Sequence, residues 1–211
     1  MQRWSKRDRA ILGFFDRFYC ATIDHVHRLF CPAQKYGYQI AARRLRALKA
    51  ARELKCMDRG FGHTKIYYRG PKKKSWQHWL ELTDLYVTLC ELARENGHSC
   101  DLEPEVLVEY PRGSIIPDAV GEYRYPDATV RFVVEILRDG QLRGKDDEYT
   151  KWRSCMREGV FPRILLLAPA GRLKRIMIKN PYGLHYVLGA LEHKRTALQE
   201  VIAWERPTSI R

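Results

Sequence analysis

Apolar residues recur at helical spacing through the first third of the chain. Ile11, Leu12, Phe15 and Phe18 share one side of a helix predicted over about 6–18. Thr22 stands where it can cap a second helix. Asp24 falls in that helix's first turn, and Ile23, Val26 and Phe30 lie on its inner face. Cys31-Pro32 stops this helix and Gly37 lies in the turn region that follows. A third helix, over about 38–52, gathers Ala41, Leu45 and Leu48 within a narrow arc. The pattern then becomes strand-like. Leu54-Lys55-Cys56-Met57 and Lys65-Ile66-Tyr67-Tyr68 flank Arg59-Gly60-Phe61-Gly62-His63, a double-glycine turn, and together they predict a β-hairpin.

The turn and charge run Gly70-Pro71-Lys72-Lys73-Lys74 is the expected domain boundary, giving 1–74 and 75–211. Beyond it, Leu82, Leu85, Leu89 and Leu92 share a face of a long helix predicted over 76–96, with Gly97 as its stop. Strands are expected at 105–110, 114–123 and 129–137, then a helix over about 139–158. The apolar strand 163–168 follows, then a helix near 171–179 and a strand at 185–189. The expected fold class is therefore α+β: a helical first domain with a hairpin, then a small α/β domain with a mixed sheet in the order αβββαβ.

Charge sharpens this division. The 211 residues carry a formal net charge of +13. Residues 1–74 hold 19 Lys+Arg against 5 Asp+Glu, a surplus of +14, whereas 75–211 hold 19 against 20, a balance of −1. So lopsided a positive field is the footprint of a polyanion-binding module, with an anionic membrane surface as the rival partner and a merely solvated charged face as the bland alternative. No run of about eighteen apolar residues occurs, and the charged N-terminus reads as an amphipathic helix rather than a signal peptide. The expectation is a cytoplasmic protein with no membrane partner.

The third helix decides between the polyanions. Opposite its apolar arc, and extending slightly backwards, lie Lys35, Tyr36, Gln39, Arg43 and Arg46. Arginine, lysine and glutamine hydrogen-bond base edges in a major groove wide enough to admit a helix. A short capped helix, a turn and then this helix form the helix-turn-helix arrangement. A hairpin directly after it is the wing of a winged helix, whose tip would set Arg59, His63 and Lys65 against phosphates or the minor groove. Residues 1–74 are accordingly expected to bind double-stranded DNA by themselves, with no cofactor required.

The six cysteines are scattered, without a CxxC pair, and read as reduced thiols. Cys20, His25, His27 and Cys31 lie within twelve residues, but their spacing matches no familiar zinc finger and their segment has helical periodicity, so a structural role is expected. In the second domain, Asp118 follows Pro117, and Glu135 interrupts Phe-Val-Val-Glu-Ile-Leu. A carboxylate in an apolar strand must be hydrogen-bonded, paired, metal-bound or at a sheet edge. Paired carboxylates beside a lysine hold Mg²⁺ in many nucleases. Pro-Asp on one strand and Glu-x-Lys on the next resembles the PD-(D/E)xK nuclease fold. Here Leu137 occupies the lysine position, leaving Lys145 on the next helix, or Arg138, as the substitute. An endonuclease using Asp118, Glu135 and Lys145, with Mg²⁺ on Asp118 and Glu135, is the enzymatic alternative. The expectation leans toward a degenerate site without catalysis.

A wider pattern joins the two halves. Ala-Ala-Arg-Arg-Leu-Arg-Ala-Leu at 41–48, His78, Leu82-Thr83-Asp84-Leu85-Tyr86, Pro117-Asp118-Ala119, Glu135, Lys145 and Tyr149 together resemble the replication-relaxation family of bacterial plasmids and integrative elements. The resemblance runs to about residue 190. Where that family often looks like Glu-x-Asp at the third strand, this chain reads Glu135-Ile136-Leu137. The resemblance implies a winged helix followed by a PD-(D/E)xK-like domain, and a role in replication, transfer or copy control of mobile DNA. Replication or transfer proteins and a second copy of the chain are the candidate protein partners. A transcriptional regulator is the remaining alternative.

Overall fold

The computed structural model describes residues 4–58, 64–110, 113–137, 163–173 and 186–203. The chain is a mixed α+β protein forming two compact units, Met1–Val87 and Thr88–Arg211.

The first unit opens with α1, Lys6–Phe18, started by a capping box. The Ser5 side chain accepts from the Asp8 backbone N–H, and the Asp8 carboxylate accepts from the Ser5 backbone. Asp8 is only 3% exposed, and its carboxylate also meets Arg44 at 3.5 Å, so the cap is tied to the third helix. Then come β1, Cys20–Thr22, and α2, Ile23–Phe30, whose N-terminus is capped by Thr22 and by His25 reaching back to the Thr22 N–H. Helix α3, Gly37–Ala50, buries Ala41, Leu45 and Leu48. The hairpin strands β2, Lys55–Met57, and β3, Ile66–Tyr68, pair antiparallel with Lys55 opposite Tyr68 and Met57 opposite Ile66.

Strand β1 went unread in the sequence. Its three residues are too few to show alternation, and all are buried between two helices. It pairs with β3, Cys20 opposite Tyr68 and Thr22 opposite Ile66, so the hairpin becomes a three-stranded sheet ordered β1-β3-β2.

Helix α4, Trp76–Glu95, ends before Gly97, whose φ of +68° suits a residue without a Cβ. Its first turns complete the first unit. Trp79 packs in a cluster with Tyr19, Cys20 and Ile66, the Thr83 hydroxyl donates to the Cys20 carbonyl at 2.8 Å, and Tyr86 stacks on Phe18 with centroids 4.5 Å apart. A fragment cut at Lys74 would lose all of these contacts, whereas the compact unit that holds the basic surplus runs to Val87.

The second unit is a five-stranded mixed sheet ordered β10-β9-β8-β7-β4. Its strands are β4 (Ser99–Pro104), β7 (Ala119–Arg124), β8 (Thr129–Ile136), β9 (Ile164–Ala168) and β10 (Tyr186–Ala190). Strands β8, β9 and β10 run parallel, while β7 and β4 add antiparallel. The apolar runs of β8 and β9 are buried at consecutive positions, as strands covered on both faces must be.

Two expected strands differ from those observed. The expected 105–110 strand is displaced: β4 ends at Pro104, Glu105 turns the chain at φ +51°, and only β5, Val108–Tyr110, remains of it. The expected 114–123 strand is divided at Pro117 into β6, Gly113–Ile115, which pairs with β5, and β7. A short helix α5, Ala170–Leu173, precedes β10, and α6, Lys194–Ile202, which buries Ala197, Leu198, Val201 and Ile202, was not read in the sequence. The expected 139–158 helix, with Lys145 and Tyr149, lies outside the described residues, as do Arg138, Arg59 and His63.

Candidate functional site

Helix α3 presents its two faces as its sequence requires. Ala41, Leu45 and Leu48 are fully buried, while Gln39, Arg43 and Arg46 are exposed on the helix. Lys35 and Tyr36, also exposed, do not extend it backwards as expected but lie in the turn before it, because α3 starts at Gly37 with Tyr36 as its N-cap. The Lys35 ammonium lies 5.5 Å from the Tyr36 ring centroid, and the Arg46 Nε–H donates to the Ala42 carbonyl at 3.2 Å, a bond within its own helix. Two further exposed residues, Tyr38 and Lys49, border the same face. The Arg46–Lys49 spacing of three was the signal for Lys49. Arg44, adjacent to Arg43 in sequence, turns instead toward Asp8 and is a structural cation.

Within the first unit, the described acidic side chains leave this face alone. All five carboxylates before residue 75 are ion-paired: Asp8 with Arg44, Asp16 and Glu53 with Arg69, Asp24 with Arg28, and Asp58 with Lys65. None of these pairs uses Lys35, Arg43, Arg46 or Lys49. Lys65, at the described edge of the hairpin turn, meets Asp58 at 3.4 Å with both side chains more than half exposed. A pair so open is worth about 0–1 kcal/mol, so Lys65 can exchange it for another anion. Burial raises the Tyr67 hydroxyl above its ordinary range and Cys56 adds to this, while Lys65 and Arg46 oppose it.

The turn into α3 is set by close packing. A Cβ on Gly37 would lie 2.3 Å from the Cys31 carbonyl oxygen and 2.7 Å from the His27 ring. Gly37→Ala is therefore expected to destabilise the protein by about 1–3 kcal/mol and to shift the start of α3, measured as a lower chemical-denaturation midpoint. Of the four residues at zinc-like spacing, Cys20 donates to the Trp76 carbonyl, His25 caps α2 and faces Asp84 at 3.5 Å, the His27 ring meets Tyr38 edge-on with centroids 6.1 Å apart, and Cys31 is buried. Burial pushes the Cys20 thiol up to about 12, so it packs as a protonated thiol. Arg28 also meets Asp84, at 3.3 Å, so Thr83, Asp84 and Tyr86 all anchor α4 onto the first unit.

In the second unit, Ala119 pairs with Val134, so Asp118 lies in the bend just before the ladder, next in register to Glu135. Asp118 accepts from the Ile136 backbone N–H at 2.6 Å, and Glu135 is 8% exposed. Leu137, in the lysine position, is buried in the apolar core at 2% exposure. No group of three or more His, Cys, Asp or Glu suited to a metal ion occurs among the described residues. Among them, too, no helix is long and apolar enough to cross a membrane.

No family model and no curated protein matches the chain. Among solved structures it is similar to protein VC1899 from Vibrio cholerae, with 15% sequence identity and a TM-score of 0.37 over 92% of this chain. The chain spans half the length of that protein.

Proposed function

We propose that this chain is a double-stranded DNA-binding protein whose first unit is a winged helix-turn-helix, with α3 as the recognition helix and the β2–β3 hairpin as the wing. The observation that carries the reading is the exposed Lys35, Tyr36, Gln39, Arg43 and Arg46 face, clear of a carboxylate set that is wholly ion-paired elsewhere. Such a face places two arginines and an amide on one side of a helix that fits a major groove, with Lys35 and Tyr36 in the turn that leads into it. Lys65, with Arg59 and His63, would contact phosphates from the wing.

Titrating the full chain against a duplex at two salt concentrations tests this. Affinity is expected to fall steeply with salt, each neutralised phosphate contributing a slope of about −0.9. Binding that ignores salt, or that a single strand matches, sinks the reading.

The second unit, on this proposal, is a PD-(D/E)xK-like domain that has lost catalysis, within a replication-relaxation type protein acting in replication, transfer or copy control of mobile DNA. Asp118 next in register to Glu135 favours that ancestry, and the buried Leu137 argues against cleavage. The endonuclease alternative requires Lys145 to supply the missing cation and Mg²⁺ to sit on Asp118 and Glu135. No Mg²⁺- or Mn²⁺-dependent cutting of supercoiled DNA is expected; cutting abolished by Glu135→Ala would establish the endonuclease instead. Promoter occupancy in cells, rather than binding at a replication or transfer origin, would favour the transcriptional regulator.

A further inference from the structure

The first unit holds a cavity of about 460 Å³ walled by the end of α1, the chain after β3 and the first turn of α4. Its charged lining is Asp16, Arg17, Arg69 and Lys73, three cations against one carboxylate, and its ring walls include Tyr19 and Trp79. The DNA-binding reading uses none of these residues.

The cavity is built around a constrained residue. Tyr19 closes α1 at φ +62°, ψ −53°, a region that non-glycine residues avoid. Four hydrogen bonds hold it there. Its N–H donates to the Phe15 carbonyl and its own carbonyl accepts from the Arg69 N–H, while its hydroxyl donates to the Pro71 carbonyl at 2.8 Å and accepts from the Lys73 N–H at 2.7 Å. The Lys73 backbone is thereby fixed, and its ammonium sits 3.8 Å from the Trp79 ring centroid and 5.2 Å from that of Tyr19. A lysine held on two rings is a pre-placed cation, because less side-chain freedom is lost when it meets an anion. Arg69 stands beside it, shared between Asp16 at 2.5 Å and Glu53 at 3.4 Å, so these carboxylates compete with an incoming anion for its guanidinium.

We infer that this cavity is a binding site for a free phosphorylated small molecule, with Lys73 and Arg69 facing the phosphoryl oxygens. Arginine and lysine together are the side chains that recognise phosphate. The volume lies in the range of about 300–1,000 Å³ typical of small-ligand sites, so it admits an organic group attached to the phosphate. Strand register separates the site from the hairpin turn. Tyr68 pairs with Cys20 and Lys55 at the cavity end of the sheet, whereas Ile66 pairs with Thr22 and Met57 toward the turn. DNA backbone is the rival source of the phosphate, and the duplex arm of the test below separates the two.

Calorimetric titration of the full chain with pyrophosphate and with adenosine 5′-monophosphate, at ionic strength held constant with chloride, tests the assignment. Saturable binding of at least one probe is expected. Lys73→Gln should weaken it at least tenfold, Asp16→Asn should tighten it several-fold by removing the carboxylate that draws on Arg69, and Lys49→Gln on α3 should leave it unchanged. Asp16 is 61% exposed, so its variant keeps the core intact, and circular dichroism checks the fold of all three. Absence of saturable binding by both probes overturns the proposal, as does equal affinity in Lys73→Gln and the parent. A Lys73→Gln protein that binds neither probe differently but loses duplex affinity would make this a DNA-backbone contact and overturn it too. Duplex binding that survives loss of the cavity's ligand leaves the DNA reading standing by itself, so the two fail separately.

Discussion

Under the proposed DNA-binding function, Arg43→Ala combined with Arg46→Ala is expected to abolish preference for a selected duplex while leaving weak, salt-sensitive binding to any sequence. Both guanidinium groups are exposed on α3, and neither is engaged with a carboxylate among the described residues. A bidentate arginine contact to guanine is worth about 1–3 kcal/mol of discrimination, so losing two removes most of a typical specificity ratio. The measurement begins by selecting bound duplexes from a random pool. The preferred and a scrambled duplex are then titrated with parent and variant at one salt concentration. Lys65→Ala is the contrast. A wing–phosphate contact carries no sequence information, so affinity should drop similarly for both duplexes and the salt slope should shrink by about 1. Should the α3 variant lose affinity equally for both duplexes, α3 grips DNA without reading it.

Phe18→Ala is expected to destabilise the first unit by about 3–5 kcal/mol, the usual loss for a fully buried aromatic ring. Phe18 is 0% exposed, lies 5.3 Å from Phe14 and stacks on Tyr86 at 4.5 Å between centroids. The Arg17 guanidinium stands 5.3 Å from the Phe18 ring and 5.6 Å from that of Tyr86. Truncation empties the seat of that stack, where α1 meets α4. A loss this size is a large part of the 5–15 kcal/mol that holds a typical protein folded, so chemical denaturation should show an early transition and duplex binding should fail with it. Phe18→Leu keeps most of the volume and should cost far less. A Phe18→Ala protein with an unchanged midpoint would mean that α4 is not part of the folded first unit.

Both expectations rest on one arrangement: a basic helix face held out by a core that α4 completes. The cavity beside Tyr19 depends on it as well, since Trp79 walls it from the first turn of α4, which packs against Cys20 of β1 and Ile66 of β3.

The sequence by itself determined the local elements. Ile11, Phe15 and Phe18 at helical spacing, Thr22 as a cap and the Ala41–Leu45–Leu48 arc each reflect a preference decided within a few residues, and each stands in the structure at the positions read. The exposed basic stripe of α3 follows from the same periodicity, because burying one arc of a helix exposes the other. What needed tertiary structure depends on residues far apart. Strand β1 exists only because β3 lies beside it, and Arg44 is distinguished from Arg43 only by Asp8 being 36 positions earlier and packed against α3. The α4 residues Thr83, Asp84 and Tyr86 looked like a motif, and the fold uses them to join α4 to β1, α2 and α1. Pro117 and Glu105 were read within continuous strands, but the backbone breaks at both, since alternation cannot say where pairing stops. Short-range preferences are written in neighbouring residues; which carboxylate neutralises which cation, and which surface is left open, is fixed only when the chain has packed.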